Sequence, residues 1–182
     1  LVEDNIKFYS SYLPVIYTEL LKQTQIVMTE ELNPAKKIMR LRARPKVLFC
    51  STYEEAWEIY EKYKTNLLGV ITDIEYPMNE VSNQEAGLTL TRNIKKDNPD
   101  MPVLLQSFSA KFAPAAGALG ASFMHKAAAD LSKQLRAFIL RYFGFGDFIF
   151  ADKSGVELAR AADLTTMLKL LKMVPIESVL YH

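Results

Sequence analysis

Short runs that are apolar throughout alternate along this chain with stretches whose apolar residues recur at helical spacing. That alternation constrains the fold more than any other feature. Lys46–Cys50 (KVLFC) follows Pro45, Leu67–Thr72 (LLGVIT) ends at Asp73, and Pro102–Gln106 (PVLLQ) and Ala121–Met124 (ASFM) come later. Leu1-Val2 reads as the stump of a further run, as if the chain were cut inside its first strand. Continuous apolar runs of this length are the pattern of strands covered on both faces. Between them, Thr52-x-x-Glu55 has the form of a capping box and precedes Ala56, Trp57, Ile59, Tyr60 and Tyr63 at helical spacing. Leu88, Leu90 and Ile94 predict a helix over 86–97, ended by Asp97-Asn98-Pro99. A weaker, Ala-rich helix is predicted over 111–118, and Leu131, Leu135, Phe138, Ile139 and Tyr142 make an amphipathic stripe from Asp130 to Phe143. Strand and helix in turn, with short joins, imply a parallel, doubly wound α/β sheet.

Two segments exceed that plan. Ile6, Tyr9, Leu13, Ile16, Tyr17, Leu20, Leu21 and Val27 keep helical spacing from Asn5 to Glu30. A helix of that length spans roughly 38 Å, whereas a typical strand covers ~17–20 Å. It must project past the sheet, with a kink expected at Pro14. A short second helix is expected to start at Asn33-Pro34. After the last helix, 146–150 and 156–159 read as a β-hairpin around Asp152-Lys153-Ser154-Gly155, followed by a helix over 163–173 that stops before Pro175.

Composition narrows the function classes. Of 182 residues, 49% are hydrophobic and 24% charged, as in an ordinary folded domain, and the net charge is +1. A near-neutral chain has no global field for nucleic acid or acidic membranes. One cysteine, Cys50, and two histidines disfavour a zinc site and exclude an internal disulfide. No apolar run is long enough to span a bilayer.

The chemistry-bearing residues fall where strands end. Glu3 and Asp4 follow the first, Asp73 ends the third, Ser107 the fourth, and Lys126 the fifth. In an open α/β sheet the crevice at the carboxyl ends of the strands is the ligand site. Three carboxylates brought together repel one another and need a cation, and all-oxygen ligands suit Mg²⁺. Lys126 supplies a point charge and Ser107 a hydroxyl for phosphoryl oxygens, which leaves Asp73 as the nucleophile.

The segments Val2-Glu3-Asp4-Asn5, Val70-Ile71-Thr72-Asp73 with Pro77, Leu104-Leu105-Gln106-Ser107 and Gly120-Ala121-Ser122-Phe123-Met124-His125-Lys126 resemble the receiver domain of bacterial response regulators. The resemblance covers residues 1–143 and leaves 144–182 as a hairpin–helix extension. It implies a flavodoxin-like five-stranded parallel sheet in the order 2-1-3-4-5, enlarged by the long first helix. By the same resemblance Glu3, Asp4 and Asp73 hold Mg²⁺ with the backbone carbonyl of Glu75. Asp73 is the phospho-acceptor, Ser107 and Lys126 sense the phosphoryl group, and Phe123 occupies the aromatic switch position. It further implies a cytoplasmic two-component signalling module rather than a metabolic enzyme, with a histidine kinase or phosphotransfer protein as donor. Phosphorylation would shift the face built from the fourth helix, fifth strand and fifth helix.

The chain departs from the family pattern at Phe108, where a small residue is usual, at Ala127, where proline is usual, and in a longer loop from Ile74 to Ala86. Those departures, with the Ala-rich 110–118 face, motivate the alternative of a degenerate receiver serving as a scaffold or dimerisation module. The segments Phe8-Tyr9-Ser10-Ser11-Tyr12-Leu13-Pro14, Arg42-Ala43-Arg44-Pro45-Lys46 and Phe143-Gly144-Phe145-Gly146-Asp147-Phe148 also resemble receiver-like regions that precede phosphoenolpyruvate-synthase-like, pyruvate-phosphate-dikinase-like proteins. That likeness implies a regulatory domain with more protein after His182.

Ordinary structural roles cover much of the remainder. His125 at a strand end, Cys50 as a small buried hydrophobe and Trp57 in the core need no chemistry. The basic run Lys36, Lys37, Arg40, Arg42, Arg44 and Lys46 reads as a solvated face. Ile26, Val27 and Met28 on the projecting half of the first helix would, if exposed, mark a homodimer or inter-domain contact.

Overall fold

Val2 sits between two other chain segments and bridges both in parallel, to Cys50 on one side and Thr72 on the other. Its N–H donates to Ile71 O at 2.8 Å and its carbonyl accepts from Asp73 N at 2.9 Å, while Glu3 N donates to Cys50 O at 3.0 Å. The computed structural model that shows this describes residues 1–29, 45–143, 148–152, 156–161, 164–173 and 179–181. The chain divides into two compact units, Leu1–Arg136 and Ala137–His182. The division falls inside the helix Leu131–Tyr142, a few residues before the 143/144 join read from the sequence.

In the first unit, β1 (Val70–Asp73), β4 (Val103–Ser107) and β5 (Ser122–His125) form a parallel sheet in the order β1-β4-β5. The described architecture is therefore α/β with a three-stranded parallel sheet, which Val2 and Cys50 extend by single bridges rather than by full strands. The KVLFC run contributes Cys50 alone. Phe49 is 42% exposed, so that run is not covered on both faces. Leu67–Gly69 precede the strand, with Leu68 exposed.

Helices cover the sheet. α1 (Ile6–Thr29) runs through Pro14 as one element, close to the expected 5–30 span. α2 (Tyr53–Tyr63) starts at Thr52, whose hydroxyl accepts from Glu55 N at 3.3 Å. The Glu55 carboxylate reaches back one residue further than in a capping box and accepts from Ser51 N at 2.8 Å. α3 (Ala86–Asp97) matches the predicted range, a 3₁₀ turn (Ala110–Phe112) leads into α4 (Ala113–Ala118), and α5 spans Leu131–Tyr142.

Residue parity divides the sheet between two layers. Val2, Val70, Val103 and Leu105 belong to one core cluster with Ala56 and Tyr60 of α2 and Leu90 and Ile94 of α3. The alternate residues Glu3, Ile71, Asp73, Leu104, Gln106 and Met124 are also buried and point to the opposite face. On that face polar residues gather at the strand ends.

The Ile74–Ala86 segment, expected as a long loop, folds as an antiparallel hairpin of β2 (Tyr76–Met78) and β3 (Val81–Asn83). Its turn residues Asn79 and Glu80 have φ of 53° and 64°, the two positive φ values of a two-residue type I′ turn. Asn79 N donates to Glu54 Oε1 at 2.8 Å, which pins the hairpin to the start of α2.

In the second unit, β6 (Phe148–Ala151) pairs antiparallel with β7 (Glu157–Ala161), as the sequence predicts, and α6 (Leu164–Leu171) falls inside the predicted 163–173. A third strand, β8 (Val179–Tyr181), pairs with the other edge of β6. The helix expected from Asn33-Pro34 and the basic run from Lys36 to Arg44 lie outside the described residues, as do the side chains of Ile26, Val27 and Met28. Among the described residues no helix is long and apolar enough to cross a membrane.

Candidate functional site

Backbone pairing brings the site together. The Val2 bridges set Glu3 beside Asp73 across the parallel ladder. The register Asp73↔Gln106 and Ser107↔His125 then aligns the ends of β1, β4 and β5. Lys126 follows immediately, its N–H donating to Ser107 O at 2.9 Å. Its side chain turns inward: Nζ donates to Glu3 Oε2 at 2.8 Å and to Asp73 Oδ2 at 2.5 Å. The Lys126 and Glu3 side chains are 3% and 0% exposed and that of Asp73 11%. The second oxygen of Asp73 accepts from Ile74 N at 2.7 Å.

Asp4 is exposed, but its carboxylate and those of Glu3 and Asp73 each offer an oxygen within 4.8 Å of the others. Among the described residues this group can hold a metal ion. Three carboxylates against one ammonium leave an excess of negative charge even with Lys126 in place, and burial makes that excess costly. The protonation of the site reflects it. Burial pushes the Glu3 carboxyl up to about 7, aided by the Asp73 charge and opposed by Lys126. Asp73 is also raised, chiefly by burial, with Lys126 and the Ile74 N–H working against the shift.

Two positions close to these carboxylates are not among the site residues read from the sequence. Gln106, a polar residue in an otherwise apolar strand, donates through Nε2 to Glu3 Oε2 at 3.4 Å, and its Oε1 is buried without a partner. A glutamine inside a run covered on both faces was the available signal, since it must point at something polar. Tyr12 of α1 is fully buried, its hydroxyl without a hydrogen-bond partner. Burial and the Glu3 and Asp73 charges hold that phenol well above its ordinary pKa. Tyr12 is not among the α1 positions that helical spacing singles out, so nothing in the sequence signals this.

Other predicted residues stand apart from the cluster. The Ser107 hydroxyl accepts from Ser109 N at 3.1 Å, so it is engaged within its own turn. Glu75 is exposed in the turn after β1, and none of the described contacts ties its carbonyl to the carboxylates. Phe123 is half-buried against the α2/α3 core. His125 accepts from Ala127 N at 3.2 Å, a local turn contact. Phe108 is 57% exposed, yet its ring lies 5.2 Å from that of Phe8 in an edge-on arrangement.

Gly87 decides how closely α3 approaches the end of β1. A Cβ there would stand 2.0 Å from Asp73 O and 2.9 Å from Ile74 Cα. The missing side chain lets Gly87 N donate to Ile74 O at 3.0 Å. Thr72 Oγ1 donates to Asp73 O at 2.8 Å, so the backbone that presents Asp73 is fixed from two sides.

Comparison with solved structures finds a similarity to a response regulator receiver domain protein from Clostridium thermocellum. The two share 22% sequence identity over 76% of this chain and 90% of that one, with a TM-score of 0.49. No protein-family model and no curated protein matches the chain significantly.

Proposed function

We propose that this chain is a receiver-type phosphorelay module that accepts a phosphoryl group on Asp73 with Mg²⁺ at Glu3, Asp4 and Asp73. The observation that carries the reading is Lys126 Nζ lying between Glu3 (2.8 Å) and Asp73 (2.5 Å) at the ends of parallel strands. The sequence motifs that hold these residues, in the same order along the chain, support it.

The donor set fits a hard dication. Its oxygens are carboxylates, and its charge stays negative after Lys126 is counted. Gln106 Oε1 is a buried acceptor that lacks a donor, and a hydrated ion brings water O–H groups. When bound, Mg²⁺ would supply charge neutralisation to the phosphoryl oxygens.

The remaining work falls to the protein. Asp73, already desolvated and held by Ile74 N, is the nucleophile toward a phosphohistidine of a histidine kinase or phosphotransfer protein. Lys126 exchanges its contact with Asp73 for one with a phosphoryl oxygen, which keeps the ammonium paired. Ser107 gives up the Ser109 N–H and turns its hydroxyl to the same group, and the Glu75 carbonyl completes the metal ligands. Phe123 has no hydroxyl, so its part in relaying the change to an attached or partner module is packing alone. The chain then acts on its own aspartate and is not a metabolic enzyme.

A scaffold or dimerisation reading has an observation of its own. Lys126 already pairs with both Glu3 and Asp73, and Tyr17 and Leu21 are 47% and 48% exposed on α1. Titration with Mg²⁺ and then beryllofluoride, followed by backbone NMR, separates the two. The phosphorelay reading predicts saturable shifts around Glu3, Asp73 and Lys126. A site silent to both additions, in a protein that sediments as a dimer, would favour the scaffold. The narrower likeness to regions preceding phosphoenolpyruvate-synthase-like proteins rests on sequence segments alone.

A further inference from the structure

We infer that Phe8 and Phe108 form an aromatic gate over Lys126 that must open before a phosphoryl group reaches Asp73, so that among small-molecule donors the gate favours compact ones over bulky ones. The inference rests on Asp73 being the acceptor, as proposed above. Lys126 Nζ lies 4.4 Å from the Phe8 ring centroid and 5.9 Å from that of Phe108, within the range of cation–π attraction. The two rings meet at 5.2 Å and 68°, so they close the same side of the ammonium. Beneath them the Lys126 side chain is 3% exposed and that of Asp73 11%.

The two rings are held differently. Phe8 belongs to α1 and stacks on the buried Tyr12, with centroids 6.3 Å apart and an interplanar angle of 27°. Phe108 is 57% exposed and sits in the bend after β4, fixed there by the Ser109 N–H bond to Ser107 Oγ. Phe8 is the fixed jamb and Phe108 the movable leaf. Swinging Phe108 out gives up one ring contact and a weak cation–π contact while burying nothing new, an opening of modest cost. When Ser107 turns its hydroxyl toward a phosphoryl group it releases the bond that shapes this bend, so occupancy of the site and the position of Phe108 are linked.

With an acyl phosphate as the small-molecule donor, the gated step is phosphoryl transfer to Asp73. A carboxylate oxygen of Asp73 bonds to phosphorus, the bond from phosphorus to the acyl oxygen breaks, and the carboxylate leaves with that electron pair.

The test uses the full chain, its Phe108→Ala variant and the ring-preserving Phe108→Tyr. In one arm each protein is labelled without metal by formaldehyde and a borane reductant, and methylation of Lys126 is read by peptide mass spectrometry with exposed Lys62 as internal reference. Phe108→Ala should label Lys126 about fivefold faster than the parent, with Phe108→Tyr close to the parent. In the other arm, with Mg²⁺, initial phosphorylation rates are compared for acetyl phosphate and benzoyl phosphate. Phe108→Ala should gain about tenfold with the bulky donor and distinctly less with the small one. Lys126 labelling unchanged in Phe108→Ala overturns the gate, and so does an equal gain, or none, with the two donors. If no protein is phosphorylated by either donor, the acceptor role of Asp73 fails, while the labelling arm still decides whether the rings shield Lys126.

Discussion

Lys126 pairs two buried carboxylates that cannot both stay charged without it. Removing one partner from a buried ion pair costs more than the pair contributes. Lys126→Met should therefore lower stability by about 3 kcal/mol at neutral pH, with part of the loss recovered in acid as Glu3 takes up a proton. Chemical denaturation at pH 8 and pH 5 reads both effects. Glu3 adds its own pH dependence. Its carboxyl titrates near 7 in the folded chain against 4.5 as the ordinary value, so the folded state binds more protons between those values. Stability from this group is full below pH 4.5 and is lost as pH rises through about 7. The raised Asp73 pushes in the same direction. Metal-free protein should thus lose stability across that window, and Glu3→Gln should flatten the slope. Because a cation needs the ionised carboxylates, Mg²⁺ should raise the melting temperature more at pH 8 than at pH 5.

Elements, rather than single groups, set where those side chains stand. α3 packs against the end of β1 only because position 87 has no Cβ. Gly87→Ala should cost about 1–3 kcal/mol, as overpacking does, and should weaken Mg²⁺ binding because the displaced atom is the Asp73 carbonyl. The β2–β3 turn holds Glu80 at φ 64°, a conformation glycine adopts without penalty. Glu80→Gly should stabilise by up to about 1 kcal/mol in urea denaturation. These elements also show what was legible beforehand. α3, β4 and α5 were readable almost to the residue because apolar period and terminators such as Asn98-Pro99 agreed. The carboxylates and Lys126 were readable because strand ends in a parallel sheet face one crevice. The β2–β3 hairpin was not, since Tyr76–Asn83 lacks both an Asn-Gly turn and apolar alternation, and Asn79-Glu80 adopts the turn through tertiary anchoring to Glu54. Tyr12, Phe8 and Gly87 were hidden for a related reason. Their roles depend on which face of a helix meets the strand ends, and helical spacing alone does not say.

Taken whole, the Leu1–Arg136 unit holds the acidic cluster together with Lys126, and the site's first and last residues, Glu3 and Lys126, are 123 positions apart in sequence. Such a site exists only in the folded unit. The first two turns of α1 supply Phe8 and Tyr12, so the long first helix is part of the site's wall. The most direct test of the receiver reading is intact-mass spectrometry after incubation with Mg²⁺ and acetyl phosphate. The full chain should gain the mass of one phosphoryl group, labile to acid and hydroxylamine, and Asp73→Asn should gain none. A parent protein that stays unmodified under conditions where Mg²⁺ binds, or an Asp73→Asn variant modified to the same extent, would contradict it.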